Sequence, residues 1–220
     1  MPPVLNPSPS SVVPLVQYST GMRFLLFFLS MVALGSVSNG NVRAQQNDLK
    51  NEQKKMQIEV WSDVVCPFCY IGKKKFEMAL AQFGDRANIN LVWKSFQLDP
   101  DLKTDPNMTV YESLSARKGI PVEQAKGMAG HAVNAAKEIG VEMNFDKAVV
   151  ANSLNAHRLL HLASEKGLQN TMQEELFKAY FTEGKNIDDA ETLASLATAA
   201  GLDADDVKAV LDNDRYADAV

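Results

Sequence analysis

Cysteine is nearly absent from this chain of 220 residues: there are two, Cys66 and Cys69. Structural zinc takes four ligands, and with no second cysteine pair a zinc reading of these two has little to stand on. Basic residues are also short. Residues 56–220 hold 17 Lys or Arg against 25 Asp or Glu, a formal charge of −8. Such a body repels nucleic acid and anionic lipid, and no helix in it carries a basic stripe. None of the 12 glycines builds a phosphate-binding loop after a strand, so a nucleotide cofactor is not suggested. No apolar run approaches the ~20 residues needed to span a bilayer.

What is present concentrates on the two cysteines. They stand three residues apart in Cys66-Pro67-Phe68-Cys69, where an apolar β-type run gives way to a helical pattern. A bridge between them closes so small a loop that it constrains the unfolded chain little, which makes the pair reactive rather than structural. Pro67 suits the first helical position and puts Cys66 at the N-cap, where unpaired amides and the helix dipole favour an anion. Cys66 is therefore expected to be the low-pKa nucleophile. Cys69, one turn deeper and less exposed, is expected to be the resolving thiol.

Upstream, residues 1–21 carry no charge, and Met22-Arg23 leads into a mostly apolar run over 24–34. Its length fits a signal peptide and is too short for a stable membrane anchor. Cleavage after Ala44 is preferred over Ser38, with Gln45 opening a polar linker. The expectation is an exported, periplasmic protein; translation from Met56 would instead leave it cytosolic. In an oxidising compartment the pair would donate disulfides, and in cytosol it would reduce or sense.

Three regions follow: 1–55, a signal peptide or mis-assigned upstream segment with the linker; 56–106, a βαβ unit bearing the active site; and 107–220, a helical insertion domain. In the βαβ unit, strands are predicted over 57–62 and 88–96 and a helix over 66–83, stopped at Gly84. A right-handed crossover makes the strands parallel and places Cys66 at their carboxyl ends. From Met108 onward the periodicity is helical, predicting helices over 109–118, 121–139, 152–166, 169–181, 189–200 and 203–211. Gly140 and Gly201 suit helix ends, and Asp188, Asp189 and Asp203 offer cap carboxylates.

The segments Ser62-Asp-Val-Val-Cys-Pro-Phe-Cys-Tyr-Ile-Gly72, Phe96-Gln-Leu-Asp-Pro100 and Asn152-Ser-Leu-Asn-Ala-His-Arg-Leu-Leu-His161 resemble the FrnE-like branch of the DsbA thioredoxin-fold family. The resemblance runs from Met56 to Val220. It implies an α/β, thioredoxin-like fold with an all-helical insertion. It also implies dithiol-disulfide exchange with protein or small-molecule thiols, Cys66 attacking and Cys69 resolving, with no metal or nucleotide cofactor. The family completes its sheet after the insertion with two more strands and a helix, starting at a cis-proline. This chain has no proline after Pro121 and no late strand pair, so the C-terminal half of the sheet is expected to be missing.

Other residues carry weaker signals. His157 and His161, four apart, share a helix face, but with no third ligand the leucines around them make packing the blander account. Lys73, Lys74 and Lys75 read as a solvated face, and Asp63 as either a nearby proton acceptor or a turn cap. Two competing functions stay open. One is a glutathione-dependent isomerase or transferase of the kappa or chromene-carboxylate type, although those enzymes usually carry Ser where Cys66 stands. The other is a non-catalytic remnant.

Overall fold

The computed structural model describes residues 55–220; the expected signal peptide and its cleavage sites lie outside the described residues. The described chain opens with the expected βαβ unit. Strand β1 (Met56–Ser62) pairs in parallel with β2 (Ile89–Ser95), Met56 opposite Ile89 and Ser62 opposite Ser95. Helix α1 (Pro67–Gln82) forms the crossover. Among the described residues the parallel sheet has these two strands.

The chain then enters a helical body. A short strand β3 (Asp105–Thr109) leads directly into α2 (Val110–Lys118), whose start is fixed by a capping box. Thr109 Oγ1 accepts the Glu112 amide while the Glu112 carboxylate accepts the Thr109 amide. Helix α3 (Val122–Lys137) buries Ala125, Ala129, Ala132 and Ala136, small side chains that let a neighbour approach closely. Strand β4 (Val149–Val150) pairs antiparallel with β3. After it come α4 (Leu154–Glu165), α5 (Gln169–Lys178), a π-helical turn at Ala179–Glu183, α6 (Ala190–Ala199) and α7 (Ala204–Leu211). No helix of the described residues is long and apolar enough to cross a membrane.

Local chemistry accounts for most of the element ends. Asp189 accepts the Thr192 amide at the start of α6, and Asp203 accepts the Asp205 and Asp206 amides at the start of α7. Asp188, expected as a further cap, instead accepts from Thr104 Oγ1 at 2.5 Å and Asn155 Nδ2 at 3.0 Å, tying the post-β2 loop to α4. Gly184 ends the π turn at φ 71°, and a Cβ there would meet Lys147 at 2.5 Å, so backbone conformation and close approach both call for glycine. The β3–β4 pairing was not expected, because a two-residue strand carries no readable alternation.

One core joins the two parts. Val64, Tyr70 and Ile71 of the βαβ unit pack with Leu159, Leu162, Met172, Leu176, Phe177 and Phe181 of the body. Tyr70 stacks on Phe177 at 4.8 Å between ring centroids, and its hydroxyl donates to Glu174 at 3.1 Å. Lys73 corrects the expectation of a solvated face, since it is 1% exposed. Its ammonium reaches Glu77 one turn on (2.5 Å) and Glu174 of α5 (2.8 Å), and only such pairing makes a buried lysine tolerable. Lys74, at the edge of the same network, also reaches Glu174 at 2.8 Å.

Candidate active site

The turn between β1 and α1 is built from its own backbone and from one carboxylate. The Cys66 amide donates to the Asp63 carbonyl at 3.1 Å, closing the turn. Asp63 Oδ1 accepts the Val65 amide at 3.3 Å, and Oδ2 accepts the Leu98 amide at 2.7 Å from the loop after β2. Cys66 then sits at the N-cap of α1 with extended backbone, and Pro67 follows inside the first turn. The N-cap placement expected for Cys66 is therefore present.

Both thiols are free, and both are half-buried rather than one clearly deeper than the other. The two thiols interact through a hydrogen bond, so the first ionisation belongs to the pair. It is drawn below the ordinary thiol value, chiefly because a hydrogen bond from one thiol stabilises the other as a thiolate. The Asp63 amide and the Ser62 hydroxyl also face the Cys69 sulfur and favour its anion. The second ionisation is pushed up, because that proton is held by the neighbouring thiolate and burial opposes a second charge. The helix N-terminus favours negative charge over the whole pair, and the inter-thiol hydrogen bond distributes it.

Access distinguishes the sulfurs where acidity does not. Cys66, with Val65, Pro67 and Phe68, lines one side of an apolar cleft of about 560 Å³; Cys69 does not reach it. The opposite side comes from Tyr111 and Leu114 of α2 and Met128 of α3, and Arg117 and Lys118 also line the cleft. Arg117 is turned toward Asp99 at 3.4 Å.

The three segments that carry the family resemblance lie together. Gln97 donates to Asn152 Oδ1 at 3.1 Å, and Asn152 Nδ2 donates to the Leu102 carbonyl at 2.8 Å. Further along α4, His161 lies 3.1 Å from Ser95 of β2 and stacks on Tyr216. No group of three or more metal-ligating side chains is found among the described residues. His157 is buried, with Nε2 3.2 Å from Asp63 Oδ1. Sequence spacing cannot show that contact, because its partner lies 94 residues away. Burial works to raise the Asp63 pKa, but the His157 hydrogen bond and the Leu98 amide outweigh it and leave the carboxyl below its ordinary value.

Comparison with known proteins agrees with this geometry. Residues 57–220 match the model of the DSBA-like thioredoxin domain. The crystal structure of a probable DsbA oxidoreductase from Streptomyces coelicolor is 36% identical and superposes with a TM-score of 0.69, covering 75% of this chain and 71% of that one. The uncharacterized protein YwbO of Bacillus subtilis (strain 168) is 29% identical over 170 residues, 74% of this chain and 75% of its own length. A 2-hydroxychromene-2-carboxylate isomerase is more distant, at 14% identity and a TM-score of 0.49 over 72% of each chain. With the family model spanning everything from β1 to the last described residue, the chain belongs to the DSBA-like thioredoxin domain family.

Proposed function

We propose that this protein is a thiol-disulfide oxidoreductase or isomerase that works through Cys66 and Cys69. The observation that carries the reading is a free dithiol at the N-terminus of α1, with one sulfur opening onto an apolar cleft and the other outside it. In the oxidising direction a substrate thiolate attacks Cys66 Sγ and Cys69 leaves as a thiolate, giving a mixed disulfide between Cys66 and substrate. A second substrate thiolate then attacks the substrate sulfur of that bond, and Cys66 leaves. The substrate gains a disulfide and the pair is left reduced. Run backwards, the same steps reduce a substrate disulfide, and in both directions electrons pass between sulfurs with no other cofactor.

The partners are protein or small-molecule thiols and disulfides, and the apolar cleft suits a substrate whose sulfur is flanked by apolar groups. Export to an oxidising compartment would make the pair a disulfide donor. The test is trapping across a glutathione redox series. The unaltered chain should show a reversible Cys66–Cys69 bridge with a defined midpoint. Cys69→Ser should accumulate a mixed disulfide on Cys66, while Cys66→Ser should neither trap nor exchange. A Cys66→Ser protein that exchanges disulfides like its parent would refute the reading, and a chain with no equilibrium bridge would be a non-catalytic member of its family.

A further inference from the structure

Behind the two sulfurs lies a pair of side chains that the exchange steps above leave unused. Asp63, in the turn after β1, and His157, on α4, are each 1% exposed and meet at 3.2 Å. His157 Nδ1 is buried without a partner. With Nε2–H donating to Asp63, Nδ1 carries a lone pair, the arrangement that leaves no buried donor unpaired. Asp63 then accepts from the imidazole and from the Val65 and Leu98 amides. A carboxylate supplied in this way stays ionised although burial opposes it.

The surroundings of the pair are few. Asp63 faces the Cys69 sulfur from α1, Ser153 at the start of α4, the Leu98 amide, and Tyr180 from the π turn. The Tyr180 phenol is pushed up by burial and then by the Asp63 charge, and so stays protonated. His157 faces Asp63 and, one turn along α4, His161, whose pKa is lowered chiefly by burial. Cys69 is thus the group through which the Asp63 charge can act on sulfur chemistry, and there it works against the thiolate.

We propose that His157 is a positioning residue for disulfide exchange: its hydrogen bond fixes Asp63 as a carboxylate behind Cys69, and that charge sets how readily Cys69 departs as a thiolate. The inference rests on the Cys66–Cys69 pair being redox active. When a substrate thiolate attacks Cys66 Sγ, the Cys66–Cys69 bond breaks and its electron pair goes to Cys69. The carboxylate opposes that charge, so the bridged form is favoured over what the helix N-terminus alone would allow, and the pair is a milder oxidant. An imidazole from the helical body thereby tunes a thiol carried by the βαβ unit.

The test uses the full chain with His157→Leu, which removes the donor, and His157→Gln, which returns an amide N–H. The readouts are the pH titration of thiolate ultraviolet absorbance and the equilibrium with glutathione. Without its donor, buried Asp63 takes up a proton and its charge is lost from behind Cys69. His157→Leu should therefore move the first thiol ionisation to lower pH by about 0.3 unit and shift the equilibrium about twofold toward the dithiol at neutral pH. His157→Gln should restore both. In an Asp63→Asn background, His157→Leu should change neither. Equal ionisation in all variants, or a shift that Gln does not reverse or that persists in the Asp63→Asn background, overturns the proposal. Should His157→Leu fail to fold, carbon-13 titration of the Asp63 carboxyl in the unaltered protein decides: it should stay ionised from about pH 5 to 8, and a proton taken up near neutrality overturns the idea. If the unaltered chain forms no reversible bridge, the redox reading fails, while the ionisation shift still decides whether His157 acts on Cys69 through Asp63.

Discussion

The helical body and the βαβ unit use the same kinds of side chain in opposite ways. In the body, Leu159, Leu162, Leu176, Phe177 and Phe181 are wholly buried, whereas in the βαβ unit Trp61, Phe83 and Phe96 keep 46%, 51% and 52% of their surface exposed. The β1–β2 pair therefore has little apolar cover of its own. What holds the unit in place is one face of α1, with Tyr70, Ile71 and Lys73 buried against the body, and the Asp63 carboxylate bonded to α4. The reactive turn belongs to the βαβ unit in sequence and to the helical body in energetics.

That contrast is broken most directly by mutation on its two sides. Phe177→Ala should cost about 3–5 kcal/mol in denaturant unfolding, because it removes a fully buried ring and the platform on which Tyr70 stacks. Phe96→Ala, at a half-exposed position, should cost under about 1 kcal/mol. Comparable losses would mean that stability is shared evenly and that the contrast is only one of exposure.

The buried ammonium sharpens the comparison at the junction itself. Glu174→Ala leaves Lys73 with Glu77 alone and should cost about 1–3 kcal/mol, while Lys73→Met, which removes the charge and keeps the volume, should lie within about 1 kcal/mol of the parent. The pH dependence follows from the same contact. Burial works to raise the Glu174 pKa, but the Lys73 and Lys74 hydrogen bonds bring it below its ordinary 4.5. Its contribution is therefore present above about pH 4.5 and lost as pH falls through the depressed value. Urea unfolding followed from pH 6 down to about pH 3 should be steeper for the parent than for Glu174→Ala. Parallel curves would remove Glu174 from the account.

Cap residues should show smaller effects, confined to the body. Asp203→Ala and Asp189→Ala each remove a side chain that accepts amides at the start of a helix and should cost about 1 kcal/mol. Neither should move the thiol ionisation, because neither helix end lines the cleft or touches Asp63. A changed thiol titration in either variant would show that the site depends on the whole body and not on α4 alone.

The same caps explain what could be read in advance. The strands β1 and β2, the helices and most of their ends fall within one to three residues of the sequence expectation, because Thr109, Pro121, Asp189, Asp203 and Gly201 act on their own neighbours in the chain. Cys66 at the N-cap was equally legible, for Pro67 speaks for a helix start wherever it is met. What escaped depends on distance in the chain. Lys73 looks like any surface lysine until Glu174 is placed beside it, and Asp63 looks like a turn cap until His157, 94 residues away, is seen to donate to it. The sharing of acidity between the thiols escaped for a related reason. A helix N-terminus speaks to the sulfur that caps it, but the hydrogen bond between the sulfurs depends on how the first turn coils.

The smallest effect should come from the most conspicuous exposed side chain in the sheet. Trp61 stands opposite Lys94 in the β1–β2 register and keeps nearly half its surface. Trp61→Thr supplies a β-branched residue suited to a strand at a position that is already exposed, so unfolding should change by no more than about 0.5 kcal/mol. A loss above about 1.5 kcal/mol would mean that this face is covered in solution. Repeating the measurement over a range of protein concentrations then separates the causes, since cover by a second copy makes the parent's stability rise with concentration and cover within one chain does not.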